Sequence, residues 1–242
     1  MNLIVEKDAD RASEAGAALF AALLADNPRL TAILATGNTP MAMYSRLADR
    51  QRAGSVDARG MTVFQLDTYL DVTDDDPRSL YGWMDRSFVQ PLEIPAAQVV
   101  RFSDTMQDAE QECLSYKQKI AVAGGFDLAV LGLGPNGHLG FNEPPSDASA
   151  TTRVVPLTPE SIVSNAVYWG GTDNVPTMSL TVGMDALLAS GKIILIALGA
   201  HKHEILRRTV EGPVTSDVPA SFLQQAADVT IIADEAAWMG HG

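Results

Sequence analysis

The sequence predicts an α/β fold built on a doubly wound, mostly parallel sheet with helices on both faces. Short apolar runs alternate with amphipathic stretches along the chain, which is typical of parallel α/β sheets. Gly, Asn and Pro follow several of these runs, where turns are expected. The 242 residues, of which 46% are hydrophobic, are enough for one sizeable core. No repeat and no Pro/Gly/Ser-rich linker interrupts this Rossmann-like pattern, so we expect residues 1–242 to form a single domain.

Six apolar runs predict the strands of this sheet, because short apolar segments bounded by turn residues are typical of buried strands. The most apolar of them runs directly into a glycine-rich loop, which is a common way to leave a parallel strand. The predicted strands are residues 3–5, 30–35, 61–66, 126–132, 192–198 and 229–233.

Four amphipathic stretches predict the helices between these strands. The first carries a long face of Ala, Leu and Phe side chains. Pro40 suits the first turn of the second helix, and Gly124 ends the third. The predicted helices are residues 9–26, 40–52, 109–122 and 202–210. An acidic loop is expected at residues 71–78, and small excursions from the sheet near residues 71–105 and 140–180.

Composition and charge exclude several classes of function. Lys and Arg total 17 and Asp and Glu total 30, so the formal net charge is −13. Such a charge argues against a general nucleic-acid or membrane-surface binder, and any anionic ligand must be held by local groups. Cys113 is the only cysteine, so no internal disulfide is possible. We find no signal peptide and no apolar stretch long enough to span a bilayer, and we expect a cytoplasmic protein.

Four polar segments follow predicted strands, at the edge where open parallel sheets bind their ligands. They are residues 36–39, Asp67, residues 136–143 and residues 201–202. Each segment alone is weak evidence. Their common position at the carboxyl ends of strands predicts a binding site there.

The first of these segments can hold a phosphate. Backbone N–H groups at a helix N-terminus, together with threonine hydroxyls, bind anions. Lys202 follows another strand and can bind the same anion as a point charge. The alternatives are an ordinary βα turn and a solvated lysine. The loop residues are Thr36, Gly37, Asn38 and Thr39.

The second loop carries groups suited to proton transfer. Gly134 and Gly137 shape a tight turn, and His138 is the side chain best suited to move protons near neutral pH. Glu143, five residues later, can orient the imidazole and set its tautomer. Asp67 can act as a general base in the same cleft. The alternatives are a solvated polar loop and an aspartate that only caps a turn.

Several of these segments together resemble the glucosamine-6-phosphate deaminase (isomerase) family. The resemblance covers nearly the whole chain in order, and Phe-Asn-Glu-Pro at residues 141–144 is its most specific part. The related 6-phosphogluconolactonases share the glycine-rich loop and the histidine but usually lack Phe-Asn-Glu-Pro. The matching segments are LATGNTP at 34–40, LDTY at 66–69, LGLGPNGHLGFNEP at 131–144, LTVG at 180–183, GAHK at 199–202 and PASFLQ at 219–224.

The resemblance implies a reaction and a role for each residue. The implied reaction opens the ring of an amino-sugar phosphate, isomerises it at C1 and C2, and releases ammonia. Asp67 resembles the base that moves the proton between C2 and C1. His138 resembles the acid/base that opens the ring, supported by Glu143 and Asn136. Lys202 and the 36–39 loop resemble the phosphate cradle, while Gly134 and Gly137 shape the substrate loop. The family needs no redox cofactor, and we expect no metal.

Four positions depart from the family pattern. Thr68 follows the candidate base where members usually have Glu. Asn136 stands where many members have Asp, and it supports His138 without adding a negative charge. Val167 stands where the family places an arginine on the phosphate. Val155 stands where allosteric members carry an effector-binding lysine, so the chain resembles the short, non-allosteric type.

Three alternatives remain open at the level of sequence. The substrate is a sugar phosphate, and the protein is expected to be a monomer or a small homo-oligomer. A galactosamine-6-phosphate deaminase/isomerase would differ only in pocket shape. A 6-phosphogluconolactonase is disfavoured by Phe-Asn-Glu-Pro and by Asp67. A non-enzymatic sugar-phosphate-sensing domain would be expected to lose Asp67 or His138.

Overall fold

A computed structural model describes residues 1–103 and 108–240. The end of the predicted excursion near residue 105, and His241, lie outside the described residues. The strands are β1 Asn2–Glu6, β2 Thr31–Leu34, β3 Thr62–Gln65, β4 Asp67–Tyr69, β5 Val99–Val100, β6 Leu128–Gly132, β7 Arg153–Pro156, β8 Met178–Thr181, β9 Lys192–Ala197 and β10 Val229–Asp234. The α-helices are α1 Ala9–Asp26, α2 Met41–Arg52, α3 Leu80–Met84, α4 Ala109–Ala123, α5 Pro159–Trp169, α6 Met184–Leu188, α7 His203–Glu211 and α8 Glu235–Met239.

Seven of the described strands form a parallel sheet in the order β1-β10-β9-β6-β2-β3-β5. The six predicted strands all belong to it, which confirms the predicted parallel sheet. From β2 the chain moves outwards through β3 to β5, and from β6 it moves the other way through β9 to β10. The order therefore reverses between β2 and β6. The loops that follow these two strands flank the crevice at this switch point.

Helices cover both faces of the sheet, as predicted. Alternate residues of a strand point to opposite faces. Leu34 packs in the core that includes Phe20 of α1 and Tyr44 of α2. Ile33 packs in the core that includes Tyr116 of α4, together with residues of α6, α7 and α8. The doubly wound fold class is therefore confirmed.

Local signals explain where the helices begin and end. Asp8 accepts a hydrogen bond from the N–H of Arg11 at the start of α1, and the helix has the predicted bounds. Asp108 caps α4, and Gly124 ends it with a φ of 81°. The sequence predicted that Lys202 opens a helix, but α7 begins at His203. Lys202 ends a short 3-10 turn and immediately precedes α7.

The region expected as small excursions contains a second sheet, which the sequence did not predict. Its three strands are antiparallel in the order β4-β8-β7, and α5 packs beside them. Asp67 was expected directly after the strand predicted at residues 61–66, at the end of the main sheet. Instead β3 ends at Gln65, and Asp67 begins β4 of the second sheet. The backbone changes sheets at Leu66, whose carbonyl accepts from the N–H of Val182 at 2.9 Å. No helix in the described part of the chain is long and apolar enough to cross a membrane.

Candidate active site

A cleft of about 480 Å³ opens at the carboxyl ends of the parallel strands. It brings together most of the predicted site residues from four separate segments. Those that line it are Thr36, Gly37, Asn38, Thr39, Asp67, Gly134, His138 and Lys202. Asn136, Gly137 and Glu143 lie in the segment that carries His138 but do not line the cleft. The predicted common site at this edge of the sheet is therefore present in the structure.

Asp67 lies in the wall of the cleft with a side chain that is almost completely removed from solvent. Its exposed fraction is 8%. Burial raises the pKa of its carboxyl group from 3.8 to about 7, because the charged form loses its hydration. Among the described residues no group donates a hydrogen bond to this carboxylate. A buried carboxyl group with such a pKa can both take up and release a proton near neutral pH.

The second sheet positions Asp67 next to the loop that carries His138. Asp67 pairs with Thr181 of β8, and the Thr181 hydroxyl accepts from the N–H of Phe141 at 3.0 Å. Asn142 donates to the carbonyl of Val182 at 2.8 Å, just beyond β8. Strand β8 therefore fixes the candidate base and the 139–143 segment relative to each other.

Glu143 holds the imidazole of His138. The Nδ1 of His138 lies 3.0 Å from Oε2 of Glu143, and Asn136 and Thr158 donate to the same oxygen at 2.6 and 3.2 Å. Burial alone would raise the pKa of Glu143, but the hydrogen bonds from His138 and Asn136 outweigh it and lower that pKa to about 2. Glu143 is therefore ionised at neutral pH. An ionised acceptor keeps the proton on Nδ1 and leaves Nε2 of His138 to exchange protons.

Asn136 acts on the pair from a different position than the sequence suggested. Its side-chain oxygen accepts from the backbone N–H of His138 at 3.2 Å, and its amide donates to Glu143 rather than to the imidazole. Such a bond from an asparagine to a backbone N–H two residues later is a common turn motif. Asn136 therefore orients Glu143, and through it His138.

Glycine is needed at two positions of this loop, and for a different structural reason at each. A Cβ on Gly134 would lie 2.2 Å from Cδ2 and 2.3 Å from Nε2 of His138, so only glycine leaves room for the ring. Gly137 has a φ of 85°, which glycine adopts without strain. A Cβ there would also lie 2.8 Å from Cγ1 of Val218.

The 36–39 loop and Lys202 form the other end of the cleft. The loop leaves β2, and Gly37 adopts a φ of 92° within it. Lys202 is partly buried, which lowers the pKa of its ammonium from its usual value. No carboxylate of the described residues forms an ion pair with it. An unpaired lysine beside a loop that precedes a helix is well suited to hold an anion.

Sequence reasoning missed the wall contributed by α5 and by the segment before α3. Thr158 supports Glu143, and the Ser161 hydroxyl lies 3.4 Å from Nδ1 of His138. A detectable signal existed, because Thr158 followed by proline is typical of a helix N-cap. Arg78 and Tyr168 also line the cleft. Burial raises the pKa of the Tyr168 phenol, and the backbone of Asn38 opposes that rise.

The arrangement combines three functions in one cleft. A buried carboxyl group can exchange a proton with a carbon acid, an oriented imidazole can protonate and deprotonate oxygens, and a lysine with a polar loop can anchor an anion. Such a set fits proton transfers on an anchored, phosphorylated substrate. Among the described residues no group of three or more His, Cys, Asp or Glu side chains could hold a metal ion.

Comparisons with known proteins agree with this chemistry. The model of the family described as glucosamine-6-phosphate isomerases/6-phosphogluconolactonase matches residues 6–232. The glucosamine-6-phosphate deaminase of Halothermothrix orenii is 38% identical over 98% of both chains.

Solved structures are similar over the whole length. A monomeric glucosamine-6-phosphate deaminase superposes with a TM-score of 0.96 at 32% identity, and the match covers 100% of both chains. The 6-phosphogluconolactonase of Trypanosoma brucei superposes with a TM-score of 0.79 at 20% identity, over 98% of this chain and 97% of that one. The second likeness concerns the fold alone.

Proposed function

This chain belongs to the family of glucosamine-6-phosphate isomerases and 6-phosphogluconolactonases, and we propose that it converts glucosamine 6-phosphate and water into fructose 6-phosphate and ammonia. One observation carries the proposal: a buried Asp67 without a hydrogen-bond donor among the described residues shares a cleft with the oriented His138 and with Lys202. The relatives that are 34–40% identical are glucosamine-6-phosphate deaminases.

His138 opens the sugar ring. It takes the proton from the C1 hydroxyl and delivers a proton to the ring oxygen, which leaves an open-chain aldehyde with the amine on C2. The ionised Glu143 stabilises the imidazolium that forms in between and keeps the ring in one orientation. Asn136 and Thr158 support the role of Glu143 by fixing its Oε2.

Asp67 then moves a proton from C2 to C1. Its carboxylate removes the C2 proton while the C1 oxygen is protonated, and the product is an enolamine. The carboxyl group returns the proton to C1, which converts the enolamine into a C2 imine. A pKa of about 7 suits both directions, because a base is most effective when its pKa lies near the working pH.

Hydrolysis completes the reaction. Water adds to C2 of the imine, the C2–N bond breaks, and ammonia leaves with the proton it needs, so that the C2 carbonyl of fructose 6-phosphate remains. The atoms of one water and one amino sugar phosphate are then fully accounted for. No redox cofactor takes part in these steps.

Lys202 and the 36–39 loop hold the phosphate throughout these reaction steps. A net charge of −13 repels the substrate at long range, so anchoring must come from these local groups. Anchoring the far end of the substrate keeps C1 and C2 between Asp67 and His138 while the ring opens.

We further propose that residues 1–242 act as one domain and as a cytoplasmic monomer. The similar solved deaminase is monomeric. Strand β1 pairs with β10, so the two ends of the chain meet in one sheet, and the single cysteine, Cys113, is buried and free. Size-exclusion chromatography with light scattering should give one species near 25.8 kDa, and a stable larger mass would contradict the monomer.

An ammonia-release assay tests the proposed reaction. Glucosamine 6-phosphate should yield equal amounts of ammonia and fructose 6-phosphate, and galactosamine 6-phosphate and the unphosphorylated amino sugars should react more slowly. Hydrolysis of 6-phosphogluconolactone without ammonia release from any amino sugar would overturn the proposal. A faster reaction with the galactosamine epimer would correct the substrate but leave the chemistry in place.

A further inference from the structure

The cleft contains a second cation, Arg78, which lies beside α5 and over the ring of Trp169. Building on the proposed function, we propose that Arg78 binds the substrate phosphate together with Lys202. It thereby supplies the guanidinium that the family places at the position of Val167. Arg78 belongs to the loop before α3, far along the chain from either Val167 or Lys202.

The guanidinium of Arg78 is held in one orientation before any ligand arrives. Its Nε and Nη2 donate to the two carboxylate oxygens of Asp76 at 2.8 and 2.6 Å. The plane lies over the ring of Trp169, with 4.2 Å between the guanidinium carbon and the ring centroid. No described residue accepts a hydrogen bond from Nη1. One edge of a rigid, planar donor therefore stays available for an anion in the cleft.

The wall that carries Arg78 meets the 36–39 loop. Tyr168 lies next to Trp169 in α5, and it lines the cleft together with Asn38 of the 36–39 loop. Trp83 packs edge-on against Tyr168 at 5.0 Å and donates to the sulfur of Met41, in the first turn of α2, at 3.1 Å. These contacts bring the wall to the part of the cleft where the phosphate is proposed to bind.

Other arginines do not reach this site. Arg153 donates to Asn142 and to Ser146 at 2.8 and 2.9 Å, behind the loop that holds Glu143. Arg207 pairs with Glu211 at 2.6 Å and stacks on Trp238. Among the described residues, Arg78 is the arginine that lines the cleft.

Position 167 itself cannot replace this cation. Val167 has no charge, and 76% of it is exposed on α5. It is not among the residues that line the cleft. The second positive charge must therefore come from a different element.

The charge of the ligand also requires a second cation. A phosphate monoester carries about −1.5 to −2 charges at pH 7. One lysine leaves part of this charge unbalanced in a protein whose net charge is −13. The partly exposed pair with Asp76 still leaves Arg78 able to share its remaining donors with the phosphate.

The experiment compares Arg78→Met with a matched control, Arg59→Met. Arg59 pairs with Asp57 through the same two-residue spacing, with distances of 2.8 and 2.9 Å, but it is exposed and does not line the cleft. Both variants remove one positive charge, so long-range effects are equal. Inorganic phosphate is titrated into each protein and followed by tryptophan fluorescence. KM and kcat are measured with glucosamine 6-phosphate and with unphosphorylated glucosamine.

We expect Arg78→Met to raise both the Kd for inorganic phosphate and the KM about tenfold to a hundredfold, the range for a charge-assisted contact. Its kcat should stay within about twofold of the wild-type value, as expected for lost ground-state binding. Arg59→Met should change neither constant. Arg78→Lys should lie between, because it keeps the charge and loses the planar fork.

Three results would overturn the proposal. In the first, the phosphate Kd of Arg78→Met stays within twofold of wild type. In the second, kcat/KM for unphosphorylated glucosamine falls as much as for the phosphorylated sugar. Arg78 would then only stabilise the packing of the cleft wall through its contact with Trp169. In the third, Arg59→Met weakens phosphate binding equally. If the wild-type protein releases no ammonia, the proposed reaction fails, while the phosphate titration still decides the role of Arg78.

Discussion

Replacing Asp67 by asparagine should abolish turnover and at the same time stabilise the protein at neutral pH. Asparagine has nearly the same shape but cannot accept the C2 proton. It also removes a charge that the fold disfavours, because the pKa of Asp67 is raised to about 7 by burial. Loss of activity with a gain in stability separates a buried catalytic group from a structural one.

The size of this gain follows from the linkage between protonation and folding. Between pH 3.8 and about 7 the folded protein holds a proton on Asp67 that the unfolded chain has released, so stability falls as the pH rises. Three pKa units at 1.36 kcal/mol each amount to about 4 kcal/mol in full, of which about 2–3 kcal/mol develops between pH 5 and pH 8. Above pH 8 the effect is constant. Asp67→Asn removes this dependence.

Urea denaturation of wild type and Asp67→Asn at pH 5 and pH 8 measures the difference. The change of this stability difference from pH 5 to pH 8 is the quantity of interest. Any fixed cost of burying the amide is the same at both pH values and cancels. Glu143→Gln is the matched control: the pKa of Glu143 is lowered to about 2, so both its folded and unfolded values lie below 5. The Glu143→Gln difference should therefore be destabilising and nearly flat over the same range.

Two results would refute this reasoning about Asp67. One is a stability difference between wild type and Asp67→Asn that does not change from pH 5 to pH 8, since the carboxyl group would then not be desolvated. The other is a near-wild-type rate of ammonia release by Asp67→Asn, which would remove Asp67 from the mechanism. In the wild type, kcat/KM should fall tenfold per pH unit below about pH 7, as the base becomes protonated.

Three further predictions concern the rest of the cleft. His138→Gln should slow the ring-closed substrate more than an open-chain analogue, and equal losses on both would exclude a role in ring opening. Gly134→Ala should lower kcat about a hundredfold or more, because its Cβ would lie 2.2 Å from the imidazole and displace it; an unchanged kcat would mean that the ring position is not critical. Lys202→Ala should raise KM for the phosphorylated sugar about tenfold to a hundredfold and hardly change it for the unphosphorylated one. The same change on both sugars would show that the phosphate lies elsewhere.

The sequence predicted the main sheet and its longest helices well. The helix at residues 9–26 has the predicted bounds because its signals are local: Asp8 caps it, and an apolar face repeats along 18 residues. The inner strands of the main sheet are mostly buried, so each is largely an apolar run that is easily recognised. The edge strand β5 has only two residues and was not predicted.

The second sheet could not be predicted in the same way. Its strands have three or four residues, too few for a periodic pattern, and β4 pairs with β8 more than a hundred positions away. The expected boundary at Asp67 failed for this reason. The apolar run of β3 continues through Leu66 with no turn signal where the backbone changes sheets.

Some residues of the candidate site could be predicted from the sequence, and others could not. Chemical type and position at strand ends were enough to select Asp67, His138 and Lys202 from the sequence. Arg78 escaped this reasoning because it lies at the end of an acidic loop and does not directly follow a predicted strand. Only the packing against α5 brings it to the cleft.

The sequence by itself determined which chemical groups this protein has and the order of its strands and helices. Side-chain types, turn residues and apolar runs are local properties of the chain and can be identified without the fold. Only the tertiary structure decided how those groups behave. The pKa of Asp67 depends on the loss of hydration inside the cleft, and that of Glu143 on burial opposed by His138, Asn136 and Ser161. Desolvation and hydrogen bonding are sums over neighbours distant in sequence, and the fold brings those neighbours together.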